Sequence, residues 1–472
     1  MNLKLKYALF LTFFFFVVNP VFPQSNDDFL NDFGGDSFSD LEAEIDTKTS
    51  EIIIETRETD SKILDKEINS SSFITGTLSQ RLVYGLEDPG TYFSRSSQGV
   101  DNFQSKFNFQ IESKILGSIN FKTSGDVSWD WGSFKGTNYE YNPTAADFQL
   151  RDMYFDYFFD NGLWLKLGNQ IIARGESNIL TSSDVINPRD ISTIGLQDLD
   201  DIRIQVPAIL LNYSVGFLNQ EIITAVDSAM NKFAKAGTAF DPMAPFGSAS
   251  VVSKTSRPNN SIETVIRNKV SFNGMEFVLS FGEYNRKNLS TISTSVSGAT
   301  TTLNSEQDRV SFVGFSGNMA KSNFVFKFDA AYKKGKRFPF SNPLTAPWSK
   351  HENTELGLGF DYTGISDLTI SSEIGSSIIH GYSSLLSNKE REYGYLVRAD
   401  WRQLNDILTF SAGHSKLLGD NGSFSTFGIS YDYSDQLNLS SKLVAYDSDS
   451  ASQRLYPYRK QDLLVFNADY SF

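Results

Sequence analysis

The chemistry-bearing residues of this chain gather in one stretch, where Arg174, Glu176, Asp184, Asn187, Arg189 and Asp190 follow one another closely. Asp198, Asp200, Asp201 and Arg203 extend the same run. Charges of both signs at this density do not resemble a nucleophile with its base. On a loop folded into a water-filled tube they would set up a transverse field that sorts solutes by charge and size. Asn187-Pro188 adds a rigid turn, because proline fixes its own φ and pushes its predecessor away from helix. The alternative is an external loop with solvated ion pairs. Just before this stretch, Asp152, Tyr154 and Asp156 share one parity, and Lys166, Gln170 and Arg174 share another. Such residues are expected to face a polar lumen, most of them as structural ladders.

Other chemistry is missing. His351, His380 and His414 lack metal-ligand spacing, and no cysteine is present for a thiolate site or a lipid anchor. His414-Ser415 is the nearest approach to a hydrolase signature, yet no G-x-S-x-G elbow accompanies it. Gly357-Leu358-Gly359 sits in strand-like sequence and does not open a phosphate loop. No cofactor, no metal and no enzymatic activity are therefore expected. A net charge of −14 excludes a nucleic-acid partner, which needs a basic surface.

The elements that must position these residues are strands. In 323–333, Phe324, Phe326, Phe328, Ala330 and Tyr332 oppose Lys327, Asp329 and Lys333. In 355–362, Leu356, Leu358, Phe360 and Tyr362 oppose Glu355, Gly357, Gly359 and Asp361, and 393–402 sorts the same way. Alternation over about 10 residues is the mark of a strand that crosses a bilayer with one face in lipid and the other in a wet lumen. Tight turns are expected near Gly117, Asn161-Gly162, Ser214 to Gly216, Asn273-Gly274, Asn318 to Lys321, Gly364, Leu404-Asn405 and Ser434-Asp435. Longer polar stretches alternate with them, among them 174–201, 227–260 and 287–305. Of these, Ser290 to Ser305 reads as a surface loop. Eight turns and nine loops predict an all-β transmembrane antiparallel barrel of about 18 strands, with 16 as the alternative count and both termini at the short-turn end.

The two ends of the chain differ from the middle. Residues 1–24 carry Lys4 and Lys6 followed by an apolar run of about eleven residues, too short to span a bilayer, and are expected to be a signal peptide. Residues 25–72 are strongly acidic and are expected to be a largely disordered periplasmic extension, with Ile52-Ile53-Ile54 as a docking alternative. The barrel is assigned to 73–472. Its last strand places Leu464, Phe466, Ala468, Tyr470 and Phe472 on one face, and Tyr470 with the terminal Phe472 resembles the signal read by the barrel-assembly machinery. Aromatic residues make up 14% of the chain and Phe alone numbers 40, which a barrel can turn outward into hydrocarbon.

The stretch Arg151 to Gly216 carries a family likeness. Leu165-Lys166-Leu167-Gly168-Asn169-Gln170, then Arg174-Gly175-Glu176, then Asp184-Val185-Ile186-Asn187-Pro188-Arg189-Asp190 resembles a family of Gram-negative outer-membrane barrels of unassigned function. Arg174 stands where that family usually has Trp. The family is found with exporters of the resistance-nodulation-division type and is more distantly similar to alginate-export porins. The resemblance implies residence in the bacterial outer membrane, among its lipid and lipopolysaccharide, and a periplasmic or inner-membrane exporter as partner. The expected function is an outer-membrane channel for passive passage or export of one solute class. The alternative is a surface-exposed structural or ligand-binding barrel with a plugged lumen, and an outer-membrane hydrolase ranks third.

Overall fold

The computed structural model describes residues 72–87, 98–115, 119–135, 138–140, 146–173, 175, 182–196, 202–234, 240, 250–297, 300–341 and 348–472. The proposed signal peptide and acidic extension lie outside the described residues, apart from Ser72. In chain order the strands are β1 (Ser72–Gly85), β2 (Gly99–Ile115), β3 (Ile119–Lys135), β4 (Asn138–Glu140), β5 (Ala146–Phe158), β6 (Leu163–Gln170) and β7 (Val206–Val215). They continue with β8 (Leu218–Ala225), β9 (Ser250–Ser256), β10 (Glu263–Phe272), β11 (Met275–Ser297), β12 (Thr300–Lys321), β13 (Phe324–Pro339) and β14 (Trp348–Ile365). The last are β15 (Leu368–Ile379), β16 (Arg391–Gln403), β17 (Leu408–Lys416), β18 (Ser423–Ser434), β19 (Leu437–Asp447) and β20 (Leu463–Ser471).

Eighteen of these pair antiparallel, each with its neighbour in the ring, and β1 pairs with β20 to close it. The other two lie off the ring: β4 pairs with β3, and β9 pairs parallel with β12. Among the described residues no helix is long and apolar enough to cross a membrane.

Side-chain alternation builds this ring. On β13 and β14, Asp329, Lys333, Glu355 and Asp361 point inward and are buried, while Phe326, Tyr332, Leu356 and Leu358 point outward. Leu358 is 62% exposed, a poor arrangement in water and a favourable one in hydrocarbon. Inward charges pair across strands: Glu221 with Arg267 at 2.5 Å, Lys327 with Asp361 at 2.7 Å, and Glu355 with both Lys333 at 2.6 Å and Lys336 at 2.8 Å. Each pair joins adjacent strands and holds their register.

Turn chemistry sets the short-turn end. Asn273 and Gly274 both take positive φ, 49° and 73°, as a two-residue hairpin requires. Of Ser290 to Ser305, expected as a surface loop, residues 290–297 and 300–305 are instead strand: β11 runs 23 residues and β12 runs 22, with pairing from Met275↔Met319 to Ser297↔Thr300. Alternating Ser, Thr and Val suit a pleated ladder, and pairing across the hairpin overrides the loop-like composition.

The seam joins the two ends of the ring. Gly76 and Phe472 exchange backbone hydrogen bonds, N–H to O at 2.9 Å in both directions. The Phe472 ring stacks on Phe107 with centroids 6.1 Å apart. A Cβ at position 76 would sit 2.6 Å from Phe472 Cζ, so the glycine makes room for the terminal ring. Gly76→Val is therefore expected to displace that ring and destabilise the seam by about 1–3 kcal/mol. A smaller folded fraction by heat-dependent gel mobility is the expected reading, and an unchanged fraction would show that the ring is not held there.

Candidate functional site

In the connection between β6 and β7, the described residues 182–196 turn into the barrel. Gly168 prepares its departure from the wall: at φ 137° a Cβ would lie 2.2 Å from Met153 O, so only glycine lets β6 lie this close to β5. Asn187 then fixes the loop base. Its Oδ1 accepts from Ile172 N–H at 2.7 Å, and its Nδ2 donates to Ile204 O at 2.8 Å and to Gln170 O at 3.3 Å. Val185 and Ile186 are buried with Val206, Ala208, Leu210, Ile223, Val265, Val310 and Phe312, an apolar patch on the inner wall from β7 to β12. Ser183 reaches further, donating its hydroxyl to Asp329 on β13 at 2.7 Å.

Within this loop the charges close on themselves. Asp184 accepts from Arg189 at 3.1 Å and from Arg203 Nε at 3.0 Å. Residues 188–191 form the centre of a small ribbon. On one side, Asp190 N–H donates to Ile202 O at 2.6 Å and Ile204 N–H to Pro188 O at 2.8 Å. On the other side lies the segment after β8, where Lys232 N–H donates to Arg189 O at 2.9 Å and Ile191 N–H to Lys232 O at 2.8 Å. Lys232 also pairs with Asp190 at 2.8 Å. Burial pushes the Asp190 carboxyl up, but the Lys232 ammonium and the Ser192 hydroxyl and N–H outweigh it, holding Asp190 below the usual carboxylate range.

This ribbon reaches the opposite wall. The Tyr446 hydroxyl on β19 donates to Ile194 O, and Lys442 Nζ donates to Leu196 O at 3.4 Å. Leu196 is buried with Val83, Val444, Tyr446, Leu455, Tyr458, Leu463 and Val465. The segment after β8 ends on the same patch, where Phe240 lies 5.7 Å from the Tyr446 ring and accepts from the Tyr458 hydroxyl at 3.2 Å. Two chain segments therefore run together across the lumen, from an apolar patch on β7 to β12 to another on β18, β19, β20 and β1.

The sequence-selected residues fall as follows. Arg174 and Glu176 lie outside the described residues. Asp184 and Asn187 are buried in the loop base, and Arg189 and Asp190 form the ribbon's middle strand. Asp152, Asp156 and Lys166 point inward on β5 and β6: Asp156 accepts from Asn120 at 2.7 Å, Asp152 from the Ser124 hydroxyl at 3.3 Å, and Lys166 sits 3.8 Å over the Tyr154 ring. Gln170 also points inward but is wholly covered, its Nε2 donating to Ala208 O at 2.9 Å. Tyr470 lies on the outer face of β20, its hydroxyl donating to Gln436 Oε1 at 3.0 Å, and Phe472 completes the seam. His414 and Ser415 stand on opposite faces of β17, and His414 Nδ1 meets Ser425 Oγ at 2.9 Å, so that dipeptide does not form a dyad. Alternation put Asp329 on the polar face of its strand but did not mark it as a loop anchor, and Asn231, Lys232 and Phe240 were not singled out. The one signal among these three was the aromatic Phe240 inside a polar loop.

Over residues 88–472 the chain matches the family described as "Protein of unknown function (DUF1302)", and it belongs to that family. Among solved structures it is similar to Acinetobacter baumannii OccAB1, 11% identical, with 85% of this chain and 96% of that one covered at a TM-score of 0.50. It is also similar to Pseudomonas aeruginosa OpdK with vanillate, at 12% identity, 84% and 98% coverage and a TM-score of 0.46. A third is OmpT, an outer membrane protein of Vibrio cholerae, at 12% identity, 86% and 100% coverage and a TM-score of 0.42. At such identities the likeness is one of fold, that of outer-membrane porins. No curated protein matches the chain.

Two outcomes follow from the loop's anchors. Asn187→Ala leaves three buried backbone groups without their partner and is expected to cost about 2–4 kcal/mol of local stability. Faster hydrogen exchange over 182–196, with the barrel strands unchanged, is the measurement. Asp190 has a folded-state pKa below its unfolded value, so its contribution is complete above the ordinary carboxylate range and is lost as pH falls through the depressed value. Protection factors in the ribbon, taken relative to the intrinsic exchange rate at each pH, should thus be flat from neutral pH down to that range and fall below it, and Asp190→Asn should remove the step.

Proposed function

We propose, from membership of that family and the porin-type fold, that this protein is a passive channel of the bacterial outer membrane. The observation that carries the reading is the ribbon: a charged, internally paired loop held at both ends inside an eighteen-stranded tube with a polar inner face. A ring of this size leaves room for an aqueous lumen. A charged bar within it narrows the path and imposes a field on whatever diffuses past. Asp184, Asn187, Arg189 and Asp190 are the bar's structural and electrostatic core in this reading, and Asp152, Asp156 and Lys166 line the approach. Tyr470 and Phe472 serve barrel assembly.

A second reading has one observation in its favour. β11 and β12 are about twice as long as a bilayer requires. With β9 beside β12 they form a Ser- and Thr-rich blade at the long-loop end, suited to holding a polysaccharide at the surface.

Reconstitution separates the two. Purified mature protein in planar bilayers should conduct, and replacing residues 183–196 with a short Gly-Ser linker should raise single-channel conductance and change ion selectivity. A silent barrel that binds glycan would replace the channel with the surface role.

A further inference from the structure

The outer wall of β10 to β13 carries one polar row across four strands: Thr264 faces Glu283, Glu283 faces Ser311, and Ser311 faces Lys334. Arg309 shares that face of β12, next but one to Ser311 and separated from it by the inward Val310. The neighbouring row on the short-turn side is Ile266, Phe281, Val313 and Tyr332, all apolar or aromatic. A lipid-facing wall that changes from apolar to charged within one row marks the edge of the hydrocarbon. Height agrees with this. Glu283 lies about nine residues past the Asn273-Gly274 turn, roughly 20 Å of height at the tilt of such strands, against an apolar band of about 25 Å. The polar row therefore sits at the head-group level of the outer leaflet.

At this edge the wall is grooved. Asn260 and Ile262, just before β10, bound with Thr264, Ile266, Phe281 and Arg309 a groove of about 290 Å³. Its short-turn end is apolar, and Arg309 and Glu283 close the other. Arg309 is held at two points, donating to Ile262 O at 2.7 Å and to Glu283 at 3.1 Å. That uses two of the five guanidinium N–H groups, and the others have no partner among the described residues. Lys334, on the next strand, is 73% exposed at its side chain and stands 3.7 Å from Glu352. Two carboxylates flank these cations, and each already accepts from a hydroxyl: Glu283 from Ser311 at 3.1 Å, and Glu352 from Tyr332. The unused donors lie in the middle of the row, on Arg309 and Lys334.

We propose that this outward groove is a binding site for a phosphorylated, acylated sugar lipid of the outer leaflet, with a phosphate on Arg309 and Lys334 and an acyl chain along Ile266 and Phe281. A guanidinium with free N–H groups binds phosphate oxygens in pairs, and at the hydrocarbon edge that contact is partly shielded from water. Glu283 and Glu352 would repel a bare anion, but they accept hydrogen bonds from sugar hydroxyls. A simple phospholipid offers the phosphate with few such donors, so the mixed row favours the glycolipid. The site rests on residence in the outer membrane and is independent of conduction through the lumen.

The test is native mass spectrometry of the mature protein in detergent, titrated separately with diphosphorylated lipid A, dephosphorylated lipid A and phosphatidylglycerol. Binding of one diphosphorylated lipid A per barrel, tighter than either of the other lipids, is the expected result. Arg309→Gln combined with Lys334→Gln should weaken it about tenfold or more, and Ile266→Trp, which fills the groove, should do the same without touching a charge. Lys416→Gln removes an exposed outward cation on β17, away from the groove, and should change nothing. If the double variant gives no heat-modifiable barrel, Lys334→Gln alone and Ile266→Trp carry the test. Equal binding of phosphatidylglycerol, undiminished binding of the dephosphorylated lipid, or a loss in Lys416→Gln as large as in the groove variants would overturn the site. Any of these leaves the channel reading standing, and a barrel that is silent in planar bilayers but holds lipid A at the groove would remove the channel alone.

Discussion

No water is available in hydrocarbon to satisfy a backbone N–H or C=O, and this constraint governs the rest of the structure. A sheet meets it only by closing, because an open edge leaves a row of unpaired groups in lipid. Closure here is the pairing of β1 with β20, from Thr77↔Ser471 to Gly85↔Leu463, finished by the exchange between Gly76 and Phe472. Once the ring is shut, every strand has one face in lipid and one in the lumen, and period-two alternation becomes obligatory. The same closure explains why a chain rich in Phe need not bury its rings in an interior.

Inside the ring the problem is reversed. Charged side chains pointing into a narrow space lose much of their hydration, and they remain ionised only where a partner stands within reach. Lys333 and Lys336 share Glu355, Lys287 donates to both oxygens of Glu263 at 2.7 Å, and Arg337 Nη1 donates to Asp308 at 2.9 Å. These contacts join neighbouring strands, so the lumen's polarity also stiffens its wall. The bar obeys the same rule, with Asp184 between two arginines and Asp190 on Lys232.

What anchors the bar is of another kind. At each end an apolar patch interrupts the polar lining: Val185 and Ile186 against β7 to β12, and Leu196 and Phe240 against β19, β20 and β1. Burial of such side chains contributes about 1.5–3 kcal/mol each, enough to hold a loop that charge pairs alone would leave loose in a wet lumen. Wall behind the first anchor is dry and ionically locked, with Glu263, Lys287 and Asp329 all buried.

Much of this could be read in the residues themselves. Leu356, Leu358 and Phe360 against Glu355, Gly359 and Asp361 settle which face of β14 is which, and Asn273-Gly274 settles a hairpin, because side-chain direction and turn geometry are local. Eight turns and nine loops likewise yield the ring of eighteen. Composition misread Ser290 to Ser305, since hydroxyl-rich sequence pairs as well as it loops once a partner strand is beside it. Arg189 and Asp190 were legible as a charged pair in a loop. Their partners Asn231 and Lys232 were not, because these belong to another loop, and the residues that hold this loop to the walls, Asp329 under Ser183 and Tyr446 under Ile194, are far away in sequence. Local alternation determines a barrel strand by strand, but the path of a loop depends on long-range contacts that exist only after the ring has closed around it.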